Sequence, residues 1–188
     1  MDQEGNVNVS KFGPRFVGPG GFINISQNAK RIVFMGTFTA GGLKVAVEDG
    51  KLKIVQEGRE RKFLEQVEQI TFSGKYAAQR RQPVLYITER CVFTLTKDGM
   101  ELIEIAPGVD LERDILSKMD FKPVMKIPPK LMDARIFRTE AMNLKRDMLE
   151  IPIEDRLIYV PGENTFYVNF ENFYVKSSEQ IQRIQNHV

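Results

Sequence analysis

The sequence has no tryptophan, one histidine and one cysteine. The histidine, His187, stands one position from the end, which argues against a histidine-built metal site or a histidine-driven triad. The cysteine, Cys91, cannot form an internal disulfide, as expected of a chain working in a reducing cytoplasm. Long apolar runs are missing too. Ile32-Val33-Phe34-Met35 is the longest near the front, against roughly 20 residues for a membrane span. The opening Met1-Asp2-Gln3-Glu4-Gly5-Asn6 has no apolar core and does not read as a signal peptide. Charge of one sign is also lacking: 27 basic against 25 acidic residues give a net charge of +2, which argues against a broad nucleic-acid footprint.

At 188 residues with 42% hydrophobic content, the chain is long enough for one cored domain, or a domain with an appendage. Gly and Pro in Phe12-Gly13-Pro14 and Gly18-Pro19-Gly20-Gly21 mark turns, with a helix expected over 22–29. Residues 31–38 read as a buried strand. Leu43, Val45 and Val47 alternate with other residues up to Asp49-Gly50, and Leu52 and Ile54 resume the alternation. A type I′ hairpin follows, pairing Val47 with Leu52 and Val45 with Ile54. Phe63, Leu64, Val67 and Ile70 suggest a short amphipathic helix running into a strand. Strands are expected over 84–88 and 91–96, and a second turn, Asp98-Gly99, leads into 102–105. A two-residue loop there sets Phe93 opposite Glu104 and leaves the register of that pair open. Asp110 suits the N-cap of a helix carrying Leu111 and Ile115 on one face. A further short strand is expected over 121–124, and three prolines within 123–129 suggest a surface crossing. An amphipathic helix over 139–150 then carries Met142, Met148 and Leu149. Strands follow over 157–160 and 165–175, and Ser177 with Gln180 forms a capping box for a last helix. The pattern is α/β: an open, mostly parallel sheet with β-hairpin insertions over 1–137, and a small α+β extension over 138–188.

Gly18-Pro19-Gly20-Gly21 ahead of a helix offers uncrowded backbone N–H groups to an anion or a developing oxyanion. It matches neither G-x-G-x-x-G nor a P-loop, and on pattern alone a tight turn needing positive φ is the favoured explanation. Glu89, beyond a strand end, and Glu104, within a strand, are carboxylates able to act as base or nucleophile, or simply to form ion pairs. Cys91 reads as a buried, inert thiol. Arg59-Glu60-Arg61-Lys62 and Arg80-Arg81 read as solvated faces, or as contacts for an anionic ligand.

Five segments, in order, carry a resemblance. They are Gly5-Asn6-Val7-Asn8-Val9-Ser10, Gly18-Pro19-Gly20-Gly21-Phe22-Ile23-Asn24, Thr88-Glu89-Arg90-Cys91-Val92-Phe93, Leu102-Ile103-Glu104-Ile105-Ala106-Pro107-Gly108-Val109-Asp110 and Met119-Asp120-Phe121. Together they resemble the C-terminal part of the family I coenzyme A transferases, the acetate and propionate type foremost, over roughly residues 2–137. The resemblance implies ping-pong exchange of CoA between an acyl-CoA and a short-chain carboxylate through a glutamyl thioester. It implies CoA as substrate and no other cofactor. By the same resemblance Gly20, then Gly21, are the oxyanion donors, and Gly18 lies at the CoA or substrate site. The family's nucleophilic glutamate lies in a Glu-Asn-Gly or Glu-Ser-Gly-like segment well upstream of this loop. Only 17 residues precede Gly18, so the nucleophile and the N-terminal half are expected to be missing and the chain inactive alone. A fragment is the favoured explanation, ahead of one chain of a split enzyme. The expected partners are acyl-CoA, a carboxylate and the missing half, in an oligomer, with neither nucleic acid nor membrane. The alternative is a non-catalytic interaction or scaffold module with the same fold.

Overall fold

The computed structural model describes residues 1–149, 153–170 and 174–186. The chain divides into two compact units, Met1–Glu140 and Ala141–Val188.

In the first unit, β1 (Lys11–Phe12) and β2 (Arg15–Phe16) form a short antiparallel ribbon. Then come α1 (Phe22–Asn28), β3 (Ile32–Met35), β4 (Thr39–Ala40), the hairpin β5 (Lys44–Glu48) and β6 (Lys51–Gln56), and β7 (Glu60–Arg61). After α2 (Gly74–Gln79), the strands β8 (Val84–Ile87), β9 (Cys91–Thr96), β10 (Gly99–Ile105) and β11 (Lys130–Leu131) complete the unit. Five strands make the main sheet, in the order β11-β10-β9-β8-β3. Its outer pairs, β10–β11 and β3–β8, are parallel, and its inner pairs are antiparallel. The sheet is therefore mixed where a mostly parallel one was expected, because the short β8–β9 and β9–β10 connections return the chain immediately to its neighbour.

One face of the sheet carries the aromatic core. Phe34 stacks on Tyr86 at 5.5 Å, meets Phe72 edge-on at 5.0 Å and touches Phe22 of α1 at 5.9 Å. Phe38, Phe63 and Phe93 continue the chain of rings, all fully buried. Aromatic pairs at these separations add to the stabilisation from burial. On the opposite face Leu52, Val92, Ala106, Met132 and Phe137 form a second, smaller cluster.

The first hairpin has the expected register: Val47 faces Leu52 and Val45 faces Ile54, around Asp49 (φ 52°) and Gly50 (φ 72°). In the second, Lys97-Asp98 is the loop and Gly99, at φ 111°, already pairs with Thr96. Phe93 thus faces Leu102, and a bulge after Leu102 brings Glu104 opposite Val92. Asp110 caps a wide helical turn, Leu111–Ile115, by accepting the Arg113 N–H at 2.7 Å. Two expectations differ. Residues 63–70 form no helix, because the carboxylate of Asp2 accepts the Val67 N–H and Leu64 bridges to Asp2. The stretch 121–124 contributes one bridge, Val124 to Glu101, rather than a strand.

The second unit contains α3 (Leu144–Leu149), α4 (Ile153–Arg156), the antiparallel pair β12 (Leu157–Val160) and β13 (Thr165–Val168), and α5 (Ser178–Gln185). Helix α3 is shorter than the expected 139–150, and residue 150 lies outside the described residues, as does His187. Ser177 and Gln180 form the capping box of α5.

Candidate functional site

The glycine loop hangs between two anchors. Before it, the Val17 N–H donates to the Ser10 carbonyl at 2.8 Å. After it, α1 is held by the Phe22–Phe34 contact and by Gln82, whose amide donates to the carbonyls of Ser26 (2.8 Å) and Ala29 (2.7 Å). Within the loop the Phe22 N–H closes onto the Pro19 carbonyl at 3.0 Å. Gly20 takes φ 54°, the left-handed region that favours glycine, and a Cβ there would meet open space. Gly21 stands at the N-cap of α1 with φ −79°, and no side chain caps that end. Gly18, Gly20 and Gly21 are all exposed. Among the described residues, the N–H groups of Gly20 and Gly21 have no acceptor. The loop therefore presents two adjacent backbone donors at a helix start, an arrangement that favours negative charge.

Glu89 is committed elsewhere. The fully buried guanidinium of Arg90 donates through Nε to Glu89 Oε1 at 2.8 Å and through its two terminal nitrogens to Glu57 at 3.0 and 3.1 Å. It also donates to the Asp114 carbonyl at 2.8 Å and lies over the Phe38 ring, 4.7 Å from its centroid. Glu89 Oε2 accepts the Phe38 N–H at 2.8 Å, and Glu57 accepts from Thr39. Burial opposes the ionised form of Glu57, but hydrogen bonds from Arg90 and Thr39 outweigh it and hold the carboxyl below its usual range. Burial likewise works against the charged form of Arg90, and the bonds to Glu57 and Glu89 prevail and raise its pKa. The cluster ties the strand ends of β8 and β9 to the segment after β3 and to β6. Glu89 thereby takes the ion-paired reading. The network itself was not foreseen: its only local signal is Glu89-Arg90 set between two strands whose Tyr86 and Phe93 are buried.

Glu104 is half-buried within β10, in register with Val92 and Lys130. Cys91 is fully buried, and desolvation pushes its thiol pKa well up, which keeps it protonated and inert. The basic clusters have local partners. Arg61 pairs with Asp120 at 2.7 Å, Lys62 donates to the Thr37 carbonyl, and Arg80 lies over Tyr76. A cavity of about 450 Å³, lined by Phe22, Phe34, Met35, Gly36 and Lys62 among others, adjoins the first residue of α1. Among the described residues, no group of three His, Cys, Asp or Glu could hold a metal ion, and no helix is long and apolar enough to cross a membrane.

No family model matches the chain. Individual proteins do. The chain is 59% identical over 143 residues to the acetate CoA-transferase YdiF of Escherichia coli, and 54% identical over 141 residues to the caffeate CoA-transferase of Acetobacterium woodii. These matches take in 76% and 72% of the chain but only 27% of either relative, so it spans about a quarter of their length. The crystal structure of E. coli YdiF as a thioester complex with CoA superposes with a TM-score of 0.73, covering 76% of this chain and 28% of that one. Glutaconate coenzyme A-transferase from Acidaminococcus fermentans shares the fold at 18% identity and a TM-score of 0.51, over 81% of this chain and 58% of that one. Over about three quarters of its length the chain is thus similar to one portion of these CoA-transferases.

Proposed function

We propose that this chain supplies the glycine oxyanion loop to an acyl-CoA:carboxylate CoA-transferase, while a part of the transferase fold outside this chain brings the nucleophilic glutamate. The observation that carries this reading is 59% identity to an acetate CoA-transferase over 143 residues; the Gly20 and Gly21 N–H groups, without an acceptor among the described residues, support the loop's part in it. The glutamate carboxylate attacks the thioester carbonyl. The C–S bond breaks and CoA leaves as a thiolate, giving a mixed anhydride. The thiolate then attacks the glutamyl carbonyl of the anhydride, the free acid departs, and a glutamyl-CoA thioester remains. A second carboxylate reverses these steps. Each addition places negative charge on a carbonyl oxygen, and the Gly20 and Gly21 N–H groups are the donors positioned to receive it. Gly18 borders the CoA or substrate path, CoA is a substrate, and no further cofactor is required. Short-chain acids are the substrate class, the assembly is oligomeric, and the reaction runs in the cytoplasm. Residues 1–137 are the transferase part and 138–188 an extension to it.

Exchange of CoA between acetyl-CoA and propionate tests this reading. The chain alone is expected to give none, and addition of the upstream portion of the fold to restore it. Turnover by the chain alone would contradict the proposal and redirect attention to Glu104.

A further inference from the structure

We infer that β3 is an internal strand of the complete sheet, and that its free edge and outer face receive a β-strand from the portion of the transferase fold that this chain does not contain; the identity of that occupant rests on the function proposed above. Among the described residues, strand β3 ends the sheet order and β8 is its only neighbour. The Ile32 N–H reaches the Pro83 carbonyl and the Gly36 N–H the Ile87 carbonyl, both toward β8. By the two-residue period of a strand, Val33 and Met35 turn their N–H and C=O groups outward.

The side chains agree with an internal position. Ile32 and Phe34 face the aromatic core, while Val33 and Met35 stand on the other face, in register with Leu85 and Ile87 of β8. Leu85 and Ile87 pack against the second core cluster, but Val33 is 43% and Met35 78% exposed. The apolar stripe thus runs out from under its cover at the last strand. Strands covered on both faces, as in all-parallel sheets, read as continuous apolar runs, and Ile32-Val33-Phe34-Met35, which lies parallel to β8, reads in that way. Edge strands exposed to water in finished folds carry charge, proline or extreme shortness. The opposite edge obeys this rule, since β11 is two residues long and includes Lys130. Strand β3 has none of these features. Relatives extending to almost four times the matched length supply an occupant. Because α1 packs on β3 through Phe22, a strand added at this edge also brings its chain toward the glycine loop.

Substituting this chain for the matching stretch of E. coli YdiF gives a full-length chimera for the test. Amide hydrogen exchange at Val33 and Met35 is compared between the chain alone and the chimera, alongside CoA exchange by the chimera. Both amides are expected to slow by at least about tenfold in the chimera. Met35→Asp is expected to leave the thermal midpoint of the isolated chain unchanged and to lower that of the chimera, whereas Val55→Asp on the exposed face of β6 lowers neither. An active chimera in which both amides exchange as fast as in the isolated chain overturns the docking edge and leaves the transferase reading standing. An inactive chimera with both amides protected supports the edge and counts against the transferase reading. Protection that grows with the concentration of the isolated chain assigns the edge to a second copy and overturns the inference.

Discussion

Gly20 and Gly21 are neighbours in the loop, yet substitution tests different properties of each. At Gly20 the backbone needs φ 54° and the surroundings are open, so Gly20→Ala costs about 1–2 kcal/mol through backbone strain alone. At Gly21 the φ of −79° suits proline, so Gly21→Pro removes one N–H while retaining the local dihedral. In a completed transferase Gly21→Pro is expected to lower kcat by ~10²–10³-fold, with a much smaller loss in thermal stability, as single-turnover rates and calorimetry would show. Arg90 sets a different residue-scale expectation. Its guanidinium is wholly buried between two carboxylates, so Arg90→Met leaves Glu57 and Glu89 without their cation and destabilises the unit by about 3–5 kcal/mol, readable by urea denaturation. The network also depends on pH. The folded-state pKa of Glu57 lies below its ordinary 4.5. Its contribution is therefore complete above that value and lost as pH falls through the folded one. Glu57→Gln should flatten the acid limb of the stability profile while lowering stability at pH 7.

At the scale of elements, local chemistry was legible and long-range pairing was not. The Asp49-Gly50 hairpin, the Asp110 cap and the Ser177 capping box each lie within a few residues of sequence, and each is present. Ser177→Ala is expected to cost about 0.5–2 kcal/mol of α5 stability, seen as faster amide exchange in its first turn. The missing helix over 63–70 shows the other side. Its apolar spacing suited a helix, but the acceptor that holds Val67 is Asp2, 65 residues away. The shifted second hairpin turned on one glycine: Gly99 at φ 111° pairs in the ladder instead of occupying the loop, and that single step puts Leu102 rather than Glu104 against Phe93. The candidate site divides in the same way. The turn at Gly18-Pro19-Gly20-Gly21 could be read from its own four residues, whereas Arg90 joins groups contributed by residues 38, 57, 89 and 114, which no local pattern connects.

For the whole molecule, the mixed sheet carries one strand whose surroundings are unfinished, and the matched enzymes are almost four times longer than the shared stretch. On the function proposed above, the chain is a scaffold for an oxyanion loop that works only once the rest of the fold is present. The direct test is CoA exchange between acetyl-CoA and propionate, measured on the chain alone and on the chain combined with the upstream portion of the fold. No exchange alone, recovery on combination, and loss of the recovered rate in Gly21→Pro are the results expected of the proposed function. Exchange by the isolated chain, or recovered exchange indifferent to Gly21→Pro, would contradict it.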